Sequence, residues 1–150
     1  MGGTARITIV PPKTLKNFSS TPHLVGNAAA YGATGGTLYV AGRAGQRFGV
    51  RNSGAILVCE GAGKYAFEYM TGGIGIVLGK CGPCVGTGMT GGEIFIFDQK
   101  VAAPFWSLPE DKEKILNEIL KDYCSETGSR TAGFILENWQ EQKSKFSYKS

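Results

Sequence analysis

Two cysteines three positions apart, Cys81 and Cys84, are the residues of this sequence whose spacing most resembles a chemical motif. A Cys-x-x-Cys pair supports thiol redox exchange when it sits at a helix N-terminus, where the dipole lowers a thiol pKa. Here Gly86-Thr87-Gly88 follows and the next element reads as a strand, so that context is missing. Zinc asks for four ligands, usually Cys or His. The other cysteines are Cys59 and Cys124, and His23 is the single histidine, alone in a loop. Two thiols with no essential role is the favoured reading, with redox pairing and metal binding as alternatives. A Ser-His-Asp or Cys-His centre built on His23 lacks supporting residues around it.

Two glycine-rich stretches imitate phosphate-binding loops and fail on context. Gly86-Thr87-Gly88-Met89-Thr90-Gly91 satisfies G-x-G-x-x-G, but a strand follows it where the dinucleotide fingerprint needs a helix. Gly61-Ala62-Gly63-Lys64 lacks the first glycine and the hydroxyl residue of a P-loop, having Val58 and Tyr65 in their places. Arg43, Arg47, Arg51, Glu60 and Glu68 gather near predicted corners. Pairing among themselves and with corner carbonyls is the favoured reading; binding an anion or the acidic face of a partner is the alternative. No catalytic residue and no cofactor is predicted.

These residues hang on a repeat. Ala33-Thr34-Gly35-Gly36, Arg51-Asn52-Ser53-Gly54, Met70-Thr71-Gly72-Gly73 and Met89-Thr90-Gly91-Gly92 align, with Gly36, Gly54, Gly73 and Gly92 spaced 18, 19 and 19 residues apart. A β-like run follows each quartet at once. Equivalent residues of successive coils stack if each repeat is one turn of a solenoid, about 4.8 Å per coil. The expected inner column is Val40/Val58/Val77/Ile96, and the expected polar corner ladder is Thr34/Asn52/Thr71/Thr90. Near-continuous apolar runs at 74–78 and 94–97 argue against an antiparallel barrel with one wet face. The predicted fold is a single-stranded right-handed parallel β-helix with coils of about 19 residues, an all-β core followed by an α tail.

The boundaries expected within one domain are an N-terminal strand and loop at 1–25, coils at 26–98, and a linker and helical tail at 99–150. Arg6 to Val10 reads as a strand and 13–25 as a loop. In the tail, Ser107, Pro109 and Glu110 have capping-box spacing, and Ile115, Leu116, Ile119, Leu120 and Tyr123 share a helical face. Gly128 is a natural stop and Ser129 a cap for a second helix bearing Ala132, Ile135, Leu136 and Trp139. The 23 glycines among 150 residues are roughly twice average usage. The net charge of +4 comes without a basic stripe interleaved with aromatics, which argues against nucleic acid. No apolar run of membrane length is present. Four cysteines without a secretory signal fit reduced thiols in the cytoplasm.

Longer stretches carry a family resemblance. Tyr31 to Gly36, Gly42 to Phe48, Val50 to Ala55, Glu68 to Gly73, Gly86 to Gly92 and Ile135 to Trp139 are similar to the β-helical GXGXG-motif domain that ends the glutamate synthase large subunit. The resemblance implies a right-handed β-helix with no catalytic group of its own, which holds glutaminase and flavin domains in place. It therefore implies a homo-oligomer or the glutaminase and flavin-domain subunits of a split synthase as partners. Set against that domain, the chain reads as shorter and is expected to lack its first coils. Lys64-Tyr65-Ala66-Phe67 stands where the family has Asp-His-Gly-Cys, and Cys81-Gly82-Pro83-Cys84 stands where it has no cysteine pair. A β-helical subunit of formylmethanofuran dehydrogenase shares the Gly-rich coils and is the alternative kinship; an independent thiol or metal protein is the third reading.

Overall fold

The computed structural model describes residues 4–13, 21–101 and 104–150. Parallel strands stack into a solenoid of about four coils, each near 19 residues, followed by helices. One side of the stack is a sheet of β1 (Arg6–Ile9), β3 (Thr37–Val40), β5 (Ser53–Cys59), β6 (Thr71–Val77) and β7 (Gly91–Phe97), all parallel. A second side pairs β2 (His23–Val25) with β4 (Arg43–Ala44) and continues through a bridge from Ala62 to Cys81. The third side consists of turns at 28–32, 47–51, 65–69 and 84–88. The first coil begins at β1 rather than at residue 26, because β1 pairs with β3 and β2 with β4. Of the loop expected at 13–25, residues 14–20 lie outside the described ones.

The C-terminal halves of β3, β5, β6 and β7 are buried on both faces, which explains their continuous apolar runs. Inward residues such as Leu38, Leu57, Val77, Ile94 and Ile96 fill the lumen. Outward residues Tyr39, Val58, Ile76 and Phe95 form a second core beneath Leu116, Leu120, Tyr123 and Ile135 of the helices.

The register corrects the second coil by one residue. Tyr39 pairs with Val58, Val58 with Ile76 and Ile76 with Phe95, so Val58 belongs to the outward column. Cys59, paired with Val77, takes the inner position, and the lumen column reads Val40/Cys59/Val77/Ile96. The corner shifts in step. The amides of Ala33, Asn52, Met70 and Met89 each close a turn onto a carbonyl three residues back, which makes these four equivalent. The exposed ladder is therefore Thr34/Ser53/Thr71/Thr90, and Asn52 lies inside, fully buried.

The physical reason is a substitution of devices. Gly36, Gly73 and Gly92 adopt φ of 80, 82 and 90°. Their equivalent in coil two is Ala55, not Gly54, and neither has positive φ. Instead Asn52 Oδ1 accepts from the Gly54 and Ala55 amides, and its Nδ2 donates to the Ala55 carbonyl. A buried side-chain amide shapes this corner where glycine shapes the others.

The tail differs from expectation at its start. Ser107 lies in the short strand β8 (Trp106–Ser107); Pro109 precedes a 3₁₀ turn at Glu110–Lys112, and no side chain caps it. Helix α1 (Glu113–Thr127) follows and ends at Gly128 in the left-handed conformation. Ser129 caps α2 (Arg130–Glu137), its hydroxyl accepting from the Ala132 amide. Leu116, Ile119, Leu120 and Tyr123 are buried, whereas Ile115 is exposed. After α3 (Trp139–Gln142), strand β9 (Phe146–Lys149) returns antiparallel to β7, and β8 pairs with it in turn.

Candidate functional site

The expected Cys81/Cys84 constellation is pulled apart by the coil. Cys81 faces the lumen, and burial pushes its thiol up to about 12, away from the thiolate. Cys84 stands exposed on the outer surface. All four cysteines are free, and no group of three or more potential ligands suited to a metal ion occurs among the described residues. A depression of about 490 Å³ beside this corner is bordered by Cys84, Lys100 and Lys149.

The expected arginine–glutamate pairing is not what the structure builds. Glu60 turns to the helices and accepts a hydrogen bond from Ser129 Oγ. Burial raises its pKa, partly offset by its bonds to Ser129 and Thr131. Arg43 meets the His23 ring. Arg47 instead lies over the Tyr65 ring, 5.2 Å from its centroid, and Arg51 over Tyr69 at 6.0 Å. The ion pairs among the described residues are Arg6 with Asp122 and Glu126, Lys112 with Glu93, and Lys143 with Glu113.

These stacks stand on an unusual backbone. In each third-side turn, alternate residues have positive φ: Ala28, Ala30, Gly32; Arg47, Gly49, Arg51; Tyr65, Phe67, Tyr69; Cys84, Gly86, Gly88. The alternation aims successive amides up and down the stack. Arg47 and Arg51 donate to the Lys64 and Glu68 carbonyls of the next coil, while Gly49 donates back to Ala29. Glycine is the natural residue for such positions. A side chain there costs roughly 1–2 kcal/mol, yet eight of these twelve positions carry one. Phe67 has a clear return: its ring is fully buried in the lumen, over Gly49 and Gly75, where an added Cβ at either would lie within 2.7 Å of a ring atom. Arg47, Arg51 and Tyr69 are exposed and make no such filling.

Sequence reasoning placed Arg47 and Arg51 but missed Tyr65 and Tyr69. The signal was there: each tyrosine follows its arginine by 18 residues, one short coil.

Glycine-type turns at i, i+2 and i+4, repeated coil after coil beside a parallel sheet, define a β-solenoid whose third side is built from G-x-G-x-G units. The chain belongs to the GXGXG motif family, whose pattern matches residues 1–148. It is 41% identical over 150 residues to the ferredoxin-dependent glutamate synthase of Antithamnion sp., covering 93% of this chain and 10% of that protein. It is 40% identical to the glutamate synthase [NADPH] large chain of Bacillus subtilis, over 89% of this chain and 10% of that protein. It is 36% identical to ferredoxin-dependent glutamate synthase 2 of Arabidopsis thaliana, over 93% and 9%. The chain thus spans about a tenth of the length of these relatives. No described helix is long and apolar enough to cross a membrane.

Proposed function

We propose that this chain is a structural, non-catalytic part of a glutamate synthase, holding the glutaminase and flavin-bearing parts of that enzyme in register for glutamate formation. The observation that supports the reading most is how the fold uses its buried and half-buried polar groups. Tyr123 Oη donates to the Val40 carbonyl at 2.8 Å, Tyr39 Oη to Asp122 at 2.7 Å, and Ser129 Oγ to Glu60. Each of these bonds fastens the helices to the solenoid, and burial, the first cause in each case, raises the pKa of both tyrosines and of Glu60. Groups committed this way serve rigidity rather than proton transfer. Four free thiols fit a reducing compartment. We expect the full chain to co-purify with glutaminase- and flavin-domain chains of its host and to raise their glutamine-dependent glutamate synthesis, while forming no glutamate alone. A monodisperse monomer that neither binds those chains nor changes their rate would overturn the proposal.

A further inference from the structure

The outward side of coils two and three carries more side chain than its backbone favours. The column Gly32/Arg51/Tyr69/Gly88 has positive φ throughout, and glycine holds it at both ends. Arg51 and Tyr69 occupy its middle in the same left-handed conformation, as Arg47 and Tyr65 do in the neighbouring column. Unlike Phe67, Tyr69 does not fill the lumen: it is 53% exposed. Its ring rests on Gly88, where a Cβ would come within 2.6 Å of it. Tyr31, in coil one beside Gly32, is 58% exposed. Strained backbone that yields no core contact is a mark of function, and exposed Arg and Tyr are the side chains that anchor protein interfaces.

Charge narrows the partner. The four turns contain Arg47 and Arg51 against the single carboxylate Glu68, and Lys64 directly precedes the third turn. None of these three cations enters an ion pair among the described residues. Each guanidinium lies over a tyrosine ring and enters no ion pair among the described residues, so its N–H groups suit a carboxylate fork. Each arginine occupies one face of its tyrosine ring, a face that a nucleic-acid base would need.

We propose that Arg47/Tyr65 and Arg51/Tyr69, with Tyr31 beside them, form a docking surface for an acidic patch on a partner protein. The inference rests on the scaffold reading only in taking that partner to be another protein chain. The full chain is tested against poly-L-glutamate by fluorescence anisotropy at low salt, with poly-U RNA as a second probe. Arg47→Gln/Arg51→Gln is expected to weaken poly-glutamate binding at least tenfold, and Lys121→Gln/Lys145→Gln on the tail to leave it unchanged. Replacing Arg47, Arg51, Tyr65 and Tyr69 together by Gly is expected to abolish binding while Tm stays level or rises, since glycine relieves the backbone. Poly-glutamate binding indifferent to the arginines overturns the proposal. So does tighter, arginine-dependent binding of poly-U, which would make the surface a nucleic-acid site, or a marked fall in Tm of the glycine variant, which would make the four side chains part of the fold. If wild type ignores the synthase chains yet loses poly-glutamate binding on substitution, the scaffold reading falls and this surface stands.

Discussion

At its last coil the solenoid has a partner for an edge on each of its three sides, whereas at its first coil β1 and β2 are the outermost strands of their sheets among the described residues. β9 lies along β7. The Gln99 side chain accepts from the Cys81 amide at 2.8 Å and donates to the Cys81 carbonyl, imitating the peptide of a further coil. Lys149 Nζ donates to the Gly86 carbonyl at 2.9 Å on the third side. At the other end Ile7, level with the lumen residue Leu38, is still 45% exposed. The repeat itself makes two equivalent edges; the residues after the repeat distinguish them. Unpaired strand edges are sites of association, and natural sheets cover those they do not use.

The largest test of this asymmetry is Phe146→Ala. Phe146 is 2% exposed and packs on Phe97 at 4.9 Å and on Trp139. Its loss should cost about 3–5 kcal/mol in urea unfolding, and a cost under about 1 kcal/mol would mean that β9 does not hold the closed end. Gln99→Ala removes both bonds to Cys81 and should cost about 1–2 kcal/mol. Near-zero cost would show water replacing the amide freely. Ile7→Ser, at the open end, should change stability by no more than about 0.5 kcal/mol. Hydrogen exchange sharpens the same contrast without mutation: amides of β1 should exchange faster than those of β7, and equal protection would erase the distinction.

Between the two ends, the helices are fastened by Glu60, and its titration gives a pH test. Burial raises its folded pKa above the unfolded value of about 4.3. The folded state therefore holds this proton more tightly. The resulting stability is fully present below the unfolded pKa and is lost as pH rises through the folded one. Glu60→Gln should flatten that slope in thermal melts from pH 4 to 7; an unchanged slope would assign it to other groups.

Much of this architecture was legible because a coil must return to the same corner. Gly36, Gly73 and Gly92 marked it, and the runs after them gave the sheet. Gly128 and Ser129 ended and began helices as their chemistry requires. Coil two was misaligned by one residue because Arg51-Asn52-Ser53-Gly54 imitates the quartet while a buried Asn52, not a glycine, shapes the bend. The third side stayed hidden because Arg, Tyr and Phe occupy left-handed positions that sequence assigns to glycine. β9 had a readable alternation in Phe146-Ser147-Tyr148-Lys149, but a pairing as distant in sequence as Phe97 with Phe146 leaves no local trace.

The imitation of a peptide by Gln99 has a consequence beyond this molecule. A primary amide that satisfies one donor and one acceptor acts as a chain terminator for growth along the stacking axis. With β9 trimmed and Gln99 replaced by Val, the last coil would present the same template that every inner coil presents to its neighbour. Such a variant should polymerise end to end into filaments, visible by electron microscopy, and the chain with its tail intact should not.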